Sequence, residues 1–314
     1  MEGEKTKYIS HMVGIVPIQS GPKNDGFPWP NAEMCIRDSY TALHRSVLEC
    51  AMAGCSSIWV ITEKRHIPLL KTVVGSYVED PILAQLPVEF QQNYAMKIPI
   101  WYASVPAKDI GRRNCYGRSV LVGAEYANIL SKRLSDKAVP DKFYVSFPHS
   151  VYSPWILQKH RKKIKTAGNN FYITLEGKTI KDGAVAGFTF LQEDYERYRK
   201  DFKARDKGVW GYSGQGMKNL YRKPIEERNT ALKLTLDEVF RSATLEGATL
   251  VECVVHNDIS TWEGYAKYIA GQKWYKMPKK VKYFKFSKMK DLETRTIDCG
   301  DDYDEATKND PQET

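Results

Sequence analysis

Apolar positions in the first half of this chain follow two alternating rhythms. Residues 13–18 form an unbroken apolar run, and Ser57–Thr62 (Ser-Ile-Trp-Val-Ile-Thr), residues 98–105 and residues 143–147 share the habit. Short continuous runs of this kind suit strands covered on both faces. Between them the spacing changes to three and four. From Ser39, a helical face collects Tyr40, Leu43, Val47, Leu48 and Ala51, and Gly54 supplies the stop. A helical, proline-interrupted stretch precedes the third run. Residues 118–135 repeat the helical spacing with Val120, Ala124, Ala127, Leu130 and Leu134. This β-α-β-α order predicts an α/β fold: a mostly parallel, Rossmann-like sheet sandwiched by helices.

Beyond residue 165 the rhythm changes. Residues 170–175 and 184–190 read as strands around a Glu176-Gly177 turn, followed by a charged helix over 192–205 and a Gly-rich loop over 208–216. A helix over 229–242 comes next. Residues 250–256 then form a strand entering a helix from Ser260, where Ser260-Thr-Trp-Glu263 reads as a capping box. No internal repeat is visible.

Length and charge narrow the picture. A chain of 314 residues with 42% hydrophobic content can bury one sizeable α/β core with embellishments. No run approaches the roughly 20 apolar residues of a membrane span, and the N-terminus lacks a signal-like apolar stretch. Six cysteines (Cys35, Cys50, Cys55, Cys115, Cys253, Cys299) show no metal-finger spacing and read as reduced thiols of a cytoplasmic protein. The net charge is +9, but residues 298–314 carry seven acids against Lys308 alone, which leaves +15 on residues 1–297. A body this basic suits a polyanionic ligand. The expected organisation is an α/β domain over 1–272, a basic aromatic-rich extension over 273–297 and an acidic disordered tail over 298–314.

Two distant segments carry the candidate chemistry. Gly14-Ile-Val-Pro-Ile-Gln-Ser-Gly-Pro-Lys23, followed by Pro28-Trp-Pro30, reads as a buried strand entering a Gly/Pro loop with a lysine on it. His256-Asn-Asp-Ile-Ser-Thr-Trp-Glu-Gly-Tyr265 reads as a strand ending in a carboxylate at a helix entrance. Phosphate donors and an acid group to hold a cation are what a nucleoside-phosphate site needs. Arg112, Arg113 and Arg118 cluster before a helix N-terminus, which suits an anion. Each candidate also has an ordinary role: solvated lysine or arginine, favourable charge near a helix start, or, for His149, a structural histidine.

In their order along the chain, four stretches resemble the sugar-nucleotide nucleotidyltransferases, a GT-A-type family whose fold nucleotide-sugar glycosyltransferases share. They are residues 14–23 with Pro28-Trp-Pro30 and the helix and strand that follow, Gly117-Arg-Ser119 before a long helix, Ala186-Gly-Phe-Thr-Phe190, and Asp258-Ile-Ser-Thr-Trp-Glu-Gly-Tyr265. The resemblance spans about residues 12–270. It implies a nucleotide-diphospho-sugar transferase-like sheet. Gln19, Ser20, Gly21, Arg112, Arg113, Gly117 and Arg118 would bind the nucleotide, Lys23 and Asp258 would be catalytic, and Gly187 would border a sugar pocket. A divalent cation, Mg²⁺ or Mn²⁺, would sit on Asp258 and His149.

The chain also departs from the family. Gly21-Pro-Lys23 stands in for a loop richer in glycine and arginine, and Asn31 follows Pro30 where the family has a lysine. His149 falls where the fourth strand normally ends in a metal-binding aspartate. Imidazole is a poor ligand for Mg²⁺, so a softer metal, a metal on Asp258 alone, and nucleotide binding without the usual chemistry all stay open. The primary reading is transfer of a nucleotidyl group from an NTP to a sugar phosphate. The alternatives are a nucleotide-sugar-dependent glycosyltransferase, acting on a nucleic acid or other acceptor, and a catalytically silent nucleic-acid-binding or assembly protein. The last draws on two basic tracts: residues 159–165 (Lys-His-Arg-Lys-Lys-Ile-Lys), and residues 276–290, which interleave seven lysines with Tyr283, Phe284 and Phe286. One geometric expectation follows. Lys23, His149 and Asp258 lie at or just beyond strand ends and should meet at the C-terminal edge of one sheet.

Overall fold

The structure is a computed structural model that describes residues 11–18, 30–37, 40–87, 97–107, 109, 115–135, 138–166, 168–205, 210–213, 219–224, 234–271, 283–287 and 294–298. Its strands are β1 (Met12–Pro17), β2 (Cys35–Arg37), β3 (Tyr40–Thr41), β4 (Ser57–Thr62), β5 (Tyr77–Glu79), β6 (Lys97–Ser104), β7 (Lys142–Val145) and β8 (Ser150–Val151). The second half adds β9 (Phe171–Thr174), β10 (Phe188–Leu191), β11 (Trp210–Ser213), β12 (Asn219–Arg222), β13 (Thr249–Glu252), β14 (Asn257–Asp258), β15 (Tyr283–Ser287) and β16 (Thr294–Asp298). The helices are α1 (Ala42–Ala53), α2 (Ile67–Val74), α3 (Tyr116–Leu134), α4 (Arg161–Ile164), α5 (Gln192–Arg205), α6 (Leu236–Val239) and α7 (Trp262–Ala270).

The main sheet has the order β13-β9-β10-β7-β1-β4-β6-β5-β15-β16. Within its first eight strands, β13, β9, β7, β1, β4 and β6 run one way, while β10 and β5 run against them. The mostly parallel sheet expected from the sequence is therefore present. β15 and β16 pair antiparallel and join the sheet through β5, with Phe286 opposite Val78.

Strand alternation divides the core between the sheet's two faces. Val13 and Ile15 of β1, with Phe143 and Val145 of β7, join Val120 and Ala124 of α3 on one side. Met12, Val16 and Tyr144 join Leu43, Val47 and Ala51 of α1 on the other. Every residue of β1 and of α1 is buried, which explains why β1 reads as an unbroken apolar run. Thr41 caps α1, its Oγ1 accepting the His44 N–H, and Gly54 ends the helix at φ 93°, a left-handed conformation that glycine adopts without steric cost.

Several elements differ from the sequence reading: the strand expected over 184–190 is observed as β10, that over 250–256 as β13, and residues 210–213 of the expected Gly-rich loop form β11, paired with β12. α1 begins at Ala42 rather than Ser39, because Tyr40 and Thr41 pair with β2. The helix over 229–242 is described only as α6, with 225–233 outside the described residues; a turn in which Ala243 N–H bonds Phe240 O follows it. The helix after Asp258 is capped by Thr261, not Ser260. Thr261 Oγ1 accepts the Gly264 N–H, and a glycine at that position has no side chain to close a capping box. Among the described residues, no helix is long and apolar enough to cross a membrane.

Candidate functional site

The C-terminal edge of the parallel strands holds the segments of His149 and Asp258. β7 ends at Val145, and the chain turns through Ser146, Phe147, Pro148 and His149 into β8. β8 pairs antiparallel with β14, setting Asp258 opposite Ser150 and Asn257 opposite Val151. The Ile259 N–H donates to His149 O at 2.9 Å and closes the junction. His149 and Asp258, 109 positions apart in the chain, therefore meet at this edge as expected.

The surroundings set the chemistry of the pair. The His149 ring is 5% exposed, packed against Tyr116 at 4.9 Å between centroids and Phe147 at 6.0 Å. Burial pushes its imidazole down to about 4, the Asp258 carboxylate pulling the other way, so the ring is neutral at pH 7. His256 is lowered by burial as well, with Asp258 again opposing, and its Nε2 lies 3.0 Å from Ser150 Oγ. Asp258 itself is exposed, and one carboxylate oxygen accepts the Ser260 N–H at 2.8 Å. Tyr116 opens α3, so that helix's N-terminal turn faces the same place. Burial and then the Asp258 charge raise the Tyr116 phenol. Beside the pair, a cleft of about 370 Å³ opens beyond the ends of β9 and β13, lined by Leu175, Glu176, Lys178, Asp182, Gly183, Ala184, Cys253, Val254 and His256.

Beneath the site lies a buried charged network. Arg45 and Glu49 of α1 pair at 2.9 Å with side chains 2% and 0% exposed. Glu49 also accepts the hydroxyls of Tyr144 and Ser146, each at 2.6 Å, and that of Tyr152. Gly187, at the entrance to β10, is seated on this network: its N–H donates to the Tyr152 hydroxyl at 2.9 Å. A Cβ at Gly187 would lie 2.4 Å from the Tyr144 hydroxyl and 2.5 Å from Glu49 Oε1.

The other predicted residues divide into two groups. Gln19, Ser20, Gly21, Lys23, Arg112 and Arg113 lie outside the described residues. The strand that leads to the first four does end at this edge, where Ile18 N–H bonds Ile61 O. Gly117 packs against α6, with Val239 Cγ2 2.6 Å from where a Cβ would stand. Arg118 donates to Asp109 from Nε at 3.0 Å and from an Nη at 2.7 Å, so a carboxylate already matches its charge. In the 159–165 tract, Arg161 is engaged in the same way, bonding Asp80 and the Ala51 carbonyl.

Among the described residues, no group of three or more His, Cys, Asp or Glu side chains is placed to hold a metal ion. Asp258 offers a hard oxygen, while His149 and His256 are neutral imidazoles better suited to softer metals. The described donors do not make a protein-only metal centre.

Sequence reasoning missed Arg45, Glu49, Tyr116, Tyr144, Ser150 and Tyr152. The signal for the first two was present: two opposite charges four residues apart on a helix otherwise read as core.

No protein-family model and no curated protein sequence matches the chain. Solved structures do. A crystal structure of UDP-glucose pyrophosphorylase complexed with UDP-glucose superposes with a TM-score of 0.50 at 11% identity, covering 83% of this chain and 98% of that one. The nucleoside-diphosphate-sugar pyrophosphorylase from Vibrio cholerae gives 0.44 at 10% identity, over 82% and 99%. At such identities the likeness is one of architecture alone: the chain has the α/β fold seen in that UDP-glucose pyrophosphorylase structure.

Proposed function

We propose that this chain binds a nucleoside triphosphate or nucleotide sugar at the His149–Asp258 edge and transfers a nucleotidyl group to a sugar phosphate. The observation that carries the reading is convergence. Segments around residues 117, 149, 187 and 258 reach one edge of a mostly parallel sheet, where such sheets bind ligands, in a fold that nucleotide-sugar enzymes use.

The attacking group is a sugar-phosphate oxygen, which forms a bond to the α-phosphorus in line as pyrophosphate leaves with the electron pair of the broken bond. The chain's part is positioning and charge neutralisation. Lys23, Arg112 and Arg113, which follow β1 and β6 in the sequence, are assigned to the phosphates, with Gln19, Ser20 and Gly21 as backbone and side-chain donors. Arg118 holds Asp109, which precedes residues 110–114 in the sequence. The cleft lined by Glu176, Lys178 and Asp182 takes the acceptor, its carboxylates suited to sugar hydroxyls and its lysine to phosphate. A divalent cation would be held by Asp258, with His149 as a softer donor, and would supply charge neutralisation when bound.

A thermal-shift panel tests the reading: each NTP and common nucleotide sugars, with Mg²⁺ or Mn²⁺. Occupancy at a hundred times the dissociation constant stabilises by about 2.7 kcal/mol. Stabilisation by one base class, lost in Asp258→Asn and followed by pyrophosphate release with a sugar phosphate, is the expected result. Stabilisation by a nucleotide sugar without pyrophosphate chemistry would favour sugar transfer instead. No shift with any nucleotide would end both readings.

A further inference from the structure

We propose that the buried Arg45–Glu49 pair of α1 is the positioning device of the candidate site. It holds the 146–152 loop that carries His149, and through that loop the two-residue strand that carries Asp258. The functional meaning of this arrangement rests on the nucleotide-site reading above; the mechanical claim does not.

Most of the pair's contacts go to that loop. Glu49 takes a hydroxyl from Ser146 at its start and from Tyr152 at its end. Arg45 donates to Phe147 O at 2.8 Å, with Ser146 Oγ and Tyr152 O each at 3.5 Å, and its guanidinium lies 4.7 Å from the centre of the Tyr152 ring. Both ends of the segment are thus tied to one helix, and the residues between the ties do the site's work. His149 O receives the Ile259 N–H, Ser150 Oγ meets His256, and β8 sets the register of Asp258. The Tyr152 hydroxyl also receives the Gly187 N–H, so the entrance of β10 is referenced to the same pair.

Stability alone does not account for such a pair. Removing two charges from water costs more than their attraction commonly returns, and apolar replacements of similar volume are often as stable or more so. The network is nearly satisfied, with Arg45 Nε the one described donor in it that lacks a partner, and such a network favours one arrangement of its partners where an apolar patch does not. Here the partners are the walls of the site.

The test separates this role from ordinary packing by reading local order. Amide hydrogen exchange is measured in Arg45→Met/Glu49→Leu, which removes both charges, and in Glu49→Gln, which keeps shape and serves if the double variant fails to fold. Ile259, bonded to His149 O, reports the site; Val60, in the β4–β6 core, reports the fold. The expected result is at least tenfold faster exchange at Ile259 with Val60 unchanged. Unchanged Ile259 exchange, or acceleration of both amides in parallel, overturns the proposal. Calorimetric titration of the same proteins with UTP and with UDP-glucose, each with Mn²⁺, keeps the two ideas apart. Faster Ile259 exchange in a protein whose wild type binds neither ligand leaves positioning standing and removes the nucleotide reading. Wild-type binding with undisturbed Ile259 in the variants does the reverse.

Discussion

Lys142 is buried, and among the described residues no carboxylate pairs with its ammonium. It opens β7 at the sheet edge opposite the candidate site, fully shielded from solvent, and its Nζ donates to the carbonyls of Ile164 at 2.8 Å, Thr166 at 3.2 Å and Asn169. Three carbonyl dipoles, the first from the last residue of α4, replace water around the charge. Burial nonetheless pulls the lysine down to about 8. Below pH 8 the native and unfolded states both hold the proton, and folding bears the full cost of the buried charge. Between pH 8 and the unfolded value of about 10.4 the native state sheds the proton while the unfolded state keeps it. Stability then rises with pH, because the unfolded state binds more protons. Urea unfolding of wild type and Lys142→Met across pH 7 to 10 isolates this contribution from the cysteines and tyrosines that titrate nearby. The wild type should gain on the variant by up to about 3 kcal/mol across that window, from 1.36 kcal/mol per pH unit. A difference independent of pH would mean that Lys142 keeps its ordinary proton affinity in the native state.

At the scale of elements, the informative position is Gly187, where β10, β7 and α1 meet. An added methyl would press on two tyrosine hydroxyls and a carboxylate held in one network, none of which is the free end of an exposed chain. Gly187→Ala should therefore cost toward the upper end of the 1–3 kcal/mol typical of overpacking, read as a lower urea midpoint at unchanged slope. A neutral result would show that the network has slack. The same junction shows what the sequence could carry. β1, β4, β6, β7, α1 and α3 were legible because each buries a long continuous face, and a long face imposes a period on many residues. β8 and β14, two residues each, impose no period, so the pairing that brings Asp258 to His149 had no local signal. What pointed there was the placement of both residues at strand ends. The strand expected over residues 250–256 does not describe the observed path, because the chain leaves β13 after Glu252 and bends through the exposed Val254 and Val255 before β14. Arg45 and Glu49 went unread for a different reason: helix periodicity assigns faces, and a buried ion pair on the core face breaks the apolar rule that defines it.

For the molecule as a whole, the question is whether its positive charge serves a small ligand or a polymer. The 159–165 tract illustrates the choice. Arg161 is bound to Asp80 and Ile164 is buried, which leaves Lys159, Lys162 and Lys163 as exposed cations on one short stretch. Most of the 276–290 tract lies outside the described residues. A nucleotide held by Lys23 and one or two arginines makes few phosphate contacts, and each contact contributes a slope of about −0.7 to −0.9 to log affinity against log salt. Two contacts then cost about tenfold between 50 and 200 mM salt, whereas six to ten would cost about 10³ to 10⁵. The nucleotide that stabilises the protein should show the shallow dependence, and Lys159→Gln/Lys162→Gln/Lys163→Gln should leave it unmoved, because those lysines belong to α4 and the turn before it rather than to the His149–Asp258 edge. Single-stranded RNA or DNA provides the opposing measurement. Binding with a steep salt slope that the triple variant flattens would move the basic body from background to recognition surface and favour a polynucleotide acceptor. Failure of the intact chain to bind either polymer even at low salt would leave the charge with the nucleotide phosphates, the outcome that the engagement of Arg118 and Arg161 by internal carboxylates favours.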